Sequence, residues 1–185
     1  MDVFSYAADR NNTDRTDTHV ESLSIAPMNL KLGLANYWDL QIVVPTYNSV
    51  RTHDRITDTV EKQREFGDLV IRSKYNLWGN DGGRTALGLM PYVKLPTNQD
   101  QLGNNSIEGG LIVLLGVELP GGWGLGLMTE LDIVRDSDLG GYHAEFVNTV
   151  TFGHDIAGKL GGYVEFFSAV STESGSSWSG TIDLG

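Results

Sequence analysis

The chain has 185 residues, 40% of them hydrophobic, and a formal net charge of −11; it is expected to form a single domain over 1–185. No apolar run is long enough for a transmembrane helix, and no basic patch or stripe offers a surface to nucleic acid. Cysteine is absent, which excludes disulfide frameworks, cysteine nucleophiles and thiolate metal sites, while 23 glycines disfavour long helices.

Strand-like alternation begins at 2–8 and is followed by a polar link at about 9–20. Residues 28–34 set Met28, Leu30, Leu32 and Leu34 against Asn29, Lys31 and Gly33. A tight turn at 36–38 leads into a strand over 40–46, and a long polar link then covers 48–66. Inside that link, 56–66 has the composition of a short helical turn. The strand over 68–78 places Leu69, Ile71, Tyr75 and Leu77 opposite Arg72, Lys74 and Asn76. After a turn at 79–83, residues 85–95 place Leu87, Leu89, Val93 and Leu95 opposite Gly88, Tyr92 and Lys94.

A long link at 96–108 precedes 110–119, where Leu111, Val113, Leu115, Val117 and Leu119 face away from Gly116 and Glu118. The turn at 120–122 returns the chain through 123–135, with Leu125, Leu127, Leu131 and Ile133 against Gly126, Glu130 and Asp132. Beyond a link at 135–141, residues 142–154 set Ala144, Phe146, Val150 and Phe152 against Glu145, Thr149 and Thr151, with Asn148 an exception on the apolar side. A turn at 154–158 leads to 160–170, where Val164, Phe166 and Val170 oppose Tyr163, Glu165 and Phe167. After the link at 171–177, the strand over 178–185 opposes Ile182 and Leu184 to Thr181 and Asp183.

Each strong segment keeps period two over the length a tilted strand needs to cross a bilayer. Long and short links alternate, as they do where short turns gather on one side of a membrane and long loops on the other. All four tryptophans, Trp38, Trp78, Trp123 and Trp178, fall at strand ends or turns, where indole sits well at a membrane–water interface. The expected fold is therefore all-β: an antiparallel up-and-down transmembrane β-barrel with about ten strands visible. Its aliphatic face meets lipid and its charged face lines the lumen.

The run Gly67–Tyr75 (GDLVIRSKY) with 86–97 (ALGLMPYVKLPT) resembles a bacterial family of outer-membrane transporters, the MetA-pathway of phenol degradation family. That family's pattern has Gly-Asp opening a strand that ends near Lys-Tyr, then a strand closing in Lys-x-Pro-Thr. The closing TIDLG at 181–185 is similar to its late Asp-x-Gly strand. The resemblance covers about 20 to 185 and implies passive passage of small molecules, aromatic or otherwise hydrophobic, across the outer membrane. It also implies roughly two more strands after Gly185, about twelve in all, and an export signal that the opening Met1-Asp2 lacks. The sequence is thus expected to be mature or truncated at its start and a fragment at its end.

On this reading Lys31, Arg72, Lys74 and Lys94 face the lumen from earlier strands, and Glu118, Glu130, Asp132, Glu145, Glu165 and Asp183 from later ones. A basic wall would then oppose an acidic one, pairing to plug a narrow barrel or lining a water-filled path in a wider one. Glu130, Asp132, Arg72 and Lys94 are the candidate selectivity residues, with the links 48–66 and 96–108 as gates. Two other readings stay open: a structural or adhesive surface barrel with a plugged lumen, and a soluble lipocalin-like binder with its aliphatic face around a ligand. No enzyme is expected, since no G-x-S-x-G occurs and His19, His53, His143 and His154 have no recognised partner pattern. The acidic stretches 13–17 and 136–138 are read as solvated loop charges rather than calcium ligands. The expected partners are a lipid bilayer and a small solute, with no metal and no cofactor.

Overall fold

The computed structural model describes residues 4–13, 16–25, 28–44, 47–98, 105–136, 140–158 and 160–185. Among the described residues all regular structure is β, in antiparallel strands arranged as two sheets. One is four-stranded, in the order β1 (Phe4–Thr13), β2 (Thr16–Ile25), β5 (Tyr47–Asp54), β6 (Thr59–Phe66). The other is nine-stranded. It contains β3 (Met28–Ala35), β4 (Trp38–Val44), β7 (Leu69–Trp78), β8 (Thr85–Leu95), β9 (Glu108–Leu119), β10 (Trp123–Arg135), β11 (Tyr142–Ala157), β12 (Leu160–Ser171) and β13 (Ser179–Leu184). Its order, β13-β12-β11-β10-β9-β8-β7-β4-β3, is a meander except where β4 joins β7 past the β5–β6 hairpin. Packing divides the chain into two compact units, 1–30 with 42–70 and 94–106, and 31–41 with 71–93 and 107–185.

Thirteen strands stand where about ten are expected. The difference lies in the links 9–20 and 48–66, which hold paired strands rather than loops. Val20 pairs with Thr52 and Glu21 with Arg51 between β2 and β5, and Arg51 pairs with Lys62 between β5 and β6. The helical turn expected over 56–66 is a reversal at 55–58 followed by β6. Asp58 takes the left-handed conformation there (φ 52°), a role short polar residues fill at turns. A polar ribbon with no aliphatic face leaves little alternation to read. Elsewhere turns stand at 36–37 and 120–122 and longer connections at 96–107 and 172–178, while 79–84 and 136–141, expected to be short and long, are equal at six residues each.

The long strands β9 to β12 pair in continuous register except for one irregularity at Asp155–Ala157 of β11. Leu131 of β10 stands opposite Leu111 of β9 and Phe146 of β11, and Phe146 opposite Val170 of β12. All four are exposed, at 38, 39, 42 and 41%. A second apolar row runs Leu115, Leu127, Val150, Phe166, Ile182. Between these rows a short polar row of Thr129, Asn148 and Ser168 interrupts the face, and the Thr129 hydroxyl donates to the Asn148 amide oxygen at 2.8 Å. The other face is the shielded one. Among the described residues the buried set comprises Ile112 and four polar side chains, Asp39, Gln41, Glu108 and Asp132. That is the inverse of a water-soluble fold, where apolar side chains are inside and carboxylates out.

No pairing joins β3 to β13 among the described residues, so the sheet is not closed into the expected barrel. No helix among them is long and apolar enough to cross a membrane, which says nothing of strands.

Candidate functional site

The shielded face carries a polar cluster built from three strands. Tyr92 of β8 reaches past β9 and donates its hydroxyl to Asp132 Oδ1 on β10 at 2.5 Å. It can do so because the β9 residue opposite Asp132 is Gly110. A Cβ there would lie 2.5 Å from Asp132 Oδ1 and 2.8 Å from Tyr92 Cε1. Glu130, two residues before Asp132, hydrogen-bonds within the same group, and Arg72 of β7 supplies the facing positive charge. The Arg72 Nε is buried and has no hydrogen-bond partner among the described residues. A buried N–H of a cation is costly to leave unmatched, so this donor is available to water or a solute.

A second cluster centres on Asp39 of β4. Lys31 of β3 lies 3.0 Å from its Oδ2, Gln41 donates to its Oδ1 at 2.8 Å, and Lys74 of β7 adds attraction. Asp39 and Gln41 were legible as the polar half of the alternation D-L-Q-I, but a strand taken to begin at residue 40 hides the first of them.

Lys94 belongs to a third group with a structural part. Asp68 receives Lys94 Nζ at 3.7 Å and the backbone N–H groups of Thr97 and Asn98 at 3.1 and 3.3 Å. Thr97 Oγ1 in turn accepts from the Leu69 amide at 2.9 Å and donates to the Gly67 carbonyl. The Gly-Asp and Lys-x-Pro-Thr runs are therefore the two halves of one clasp between the start of β7 and the end of β8. Lys94 fastens strands here.

In the strand order the named basic residues stand on β3, β7 and β8, and the named acidic ones on β9 to β13. Lys31 and Lys94 also meet nearby acids, Asp39 and Asp68, which shortens the charge separation and lowers the cost of shielding it, whereas Arg72 faces Glu130 from three strands away. Glu165 accepts from Thr151 Oγ1 at 2.7 Å, and Asp183 stands opposite it in register. Glu118 and Asp183 are exposed. Toward the short turns the shielded face opens into a recess of about 830 Å³, floored by glycines such as Gly116, Gly126, Gly153 and Gly162. Further along, the same face carries Ile112, Leu114, Met128 and Phe167 between the charged rows, so it is amphipathic rather than uniformly polar.

The tryptophans occupy the strand ends. Trp78 and Trp123 are half-exposed near the short turns, and Trp178 is exposed near the 172–178 connection. Trp78 Nε1 donates to Thr85 Oγ1, and Trp123 packs on His154 with ring centres 4.6 Å apart. Trp38, also at a short turn, stacks on Tyr75 at 5.2 Å and donates to Ser73 Oγ at 2.8 Å.

The remaining expected site residue, Glu145, lies 3.3 Å from His143 Nε2, and Asp136 Oδ1 lies 2.8 Å from His143 Nδ1. The histidine's partners escape a sequence search because a folded link brings Asp136 back seven residues to meet it.

Among known proteins, the family described as "Putative MetA-pathway of phenol degradation" matches residues 8–182, nearly the whole chain. No curated protein and no solved structure matches it.

Proposed function

Because the chain belongs to the MetA-pathway of phenol degradation family, we propose that it is a β-barrel of the bacterial outer membrane that lets small, hydrophobic or aromatic molecules pass without chemical change. The observation that carries this reading is the inverted burial: continuous rows of exposed Leu, Ile, Val and Phe on one face, and Asp39, Gln41, Glu108 and Asp132 shielded on the other. Exposed apolar area on this scale is costly in water and stabilising in hydrocarbon. The strands β7 to β12 are 10 to 16 residues long, sufficient to cross the bilayer at a tilt. The crossing segments are β7 to β12, extended at the edges by the shorter β4, β3 and β13, and closure satisfies the β3 and β13 edges. The four-stranded sheet, without an aliphatic face, stands in water.

Passage runs along the shielded face. The Arg72–Tyr92–Glu130–Asp132 group offers donors and acceptors to a hydroxyl, with the unpaired Arg72 Nε as the first of them. The apolar residues beside it accept a ring. Such a mixed lining suits a solute with one polar group, and a pore of this kind works by weak, matched contacts rather than tight binding.

Conductance of the refolded protein in a planar bilayer tests this reading. Discrete current steps, changed in ion preference by Asp132→Asn, are the expected result. A heat-modifiable membrane protein with no current would instead favour the plugged, structural barrel. A monomer that stays in buffer without detergent would overturn the membrane reading.

A further inference from the structure

Away from the Arg72–Tyr92 group, at the ends of β10, β11 and β12 that carry the longer connections, three side chains with metal-ligating atoms converge. Asp136 directly follows β10, His143 is the second residue of β11, and Glu173 lies two residues beyond β12. One donor atom from each lies within 4.8 Å of the others. The His143 side chain is only 7% exposed and that of Asp136 18%.

The backbone is shaped to deliver them. The Asp136 amide donates to the Gly141 carbonyl at 3.1 Å, closing the link on itself. A Cβ at Gly141 would sit 2.6 Å from Asp136 Oδ2, so glycine is what lets that carboxylate fold back toward His143. On the other side, Thr172 is bound to Ala144 through both its amide (2.9 Å) and its hydroxyl (3.0 Å). Ser176 Oγ donates to the Glu173 and Ser171 carbonyls, holding the next turn. Both connections are therefore tied to β11 on either side of the histidine.

Proton counting then points to a cation. His143 Nδ1 faces Asp136 and Nε2 faces Glu145, yet a neutral imidazole has a single N–H to give. A metal ion on Nδ1 satisfies both contacts with a neutral ring. With the ion on Nδ1, the remaining Nε2–H donates to Glu145, the carboxylate support that ligating histidines commonly have. Donors around a tetrahedral zinc with bonds near 2.0 Å stand ~3.3 Å apart, so Asp136 must open by ~0.5 Å and Glu173 must close in. One nitrogen and two carboxylates suit a first-row transition ion better than calcium or magnesium, which prefer oxygen alone.

We propose that Asp136, His143 and Glu173 bind a divalent transition-metal ion of the zinc type, with Glu145 positioning the imidazole, and that the ion ties the end of β10 at Asp136 to the residues that follow β12 at Glu173. The site is independent of the passage reading, because the same titration can be run in micelles or in plain buffer.

The test is calorimetric titration of the full chain with zinc chloride, with calcium chloride as comparator. Proteolytic cleavage of the 136–141 link is followed in parallel. The expected result is one saturable zinc equivalent, no calcium binding, and slower cleavage with zinc present. His143→Gln should abolish both effects, Glu173→Gln should weaken binding at least ~10-fold, and Glu145→Gln should weaken it by ~10- to 100-fold. Should His143→Gln fail to fold, Glu173→Gln, on a surface connection, decides the matter. Absence of stoichiometric zinc, or zinc binding and protection unchanged in these variants, would overturn the proposal and leave His143 a doubly protonated ion-pair partner.

Discussion

The two sheets solve opposite problems with the same secondary structure. In the nine-stranded sheet, rows such as Leu111–Leu131–Phe146–Val170 lie exposed while Asp132 and Asp39 are shielded. In the four-stranded sheet most residues are polar, and cross-strand neighbours include pairs such as Glu21 with Arg51, whose side chains meet at 3.5 Å. A strand facing hydrocarbon must satisfy its backbone by pairing and its surface by apolar side chains, whereas a strand in water needs only the pairing. The period-two signal is thus a mark of the solvent boundary more than of strand formation.

The sharpest way to break this comparison is to place one charge on each sheet. Leu131→Arg should cost about 2–4 kcal/mol of membrane-embedded stability, read by denaturant unfolding in bilayers. Val60→Arg, at an exposed position of β6, should stay within about 0.5 kcal/mol. Equal costs would abolish the distinction. Next in size is the clasp. Asp68→Ala removes the acceptor for Lys94 and two backbone amides and should cost about 2 kcal/mol, with faster proteolysis in the 96–107 connection.

A smaller stability effect, about 1 kcal/mol, is expected for Tyr92→Phe, which takes the donor from Asp132. Its larger consequence should be a change in current amplitude, because Asp132 is left freer to meet a passing solute. An unchanged current would remove Tyr92 from the pathway.

The mildest effect concerns pH in the four-stranded sheet. The Ile56 amide, followed by the Thr57 hydroxyl and amide, donates to Asp54 and holds its carboxyl below the usual carboxylate value. A lowered folded-state value means that the stabilisation is complete above the unfolded value, about 3.9, and fades as pH falls through the folded one. Hydrogen exchange at Ile56 should therefore quicken in acid more than the intrinsic rate predicts, and Asp54→Ala should remove that pH dependence.

Much of this was legible in the sequence. The alternation over 85–95, 110–119 and 123–135 marks β8, β9 and β10 to within a residue or two, whereas the contrast of short and long connections is lost between 79–84 and 136–141, which are equal in length. Arg72, Glu130 and Asp132 could be named as one group because they share the polar parity of their strands. Tyr92 has the same parity, but its reach to Asp132 depends on the missing side chain of Gly110, a relation between three strands that no single strand displays. Lys94 was named for its charge alone, and the fold gives it a fastening role through Asp68. Strands β2, β5 and β6 are hidden in the sequence because their residues are mostly polar and carry no aliphatic alternation. The partners of His143 escaped it because they come from separate connections.

The central claim is that the aliphatic face of the larger sheet meets hydrocarbon. The absence of native cysteine allows it to be tested with single nitroxide labels at Leu131→Cys on that face and Gly116→Cys on the other, where a Cβ meets nothing within 4 Å. In lipid vesicles the Leu131 label should be relaxed by oxygen and shielded from a water-soluble nickel chelate, and the Gly116 label the reverse. A Leu131 label reached freely by the chelate, with Gly116 protected, would contradict the account and turn the sheet inside out.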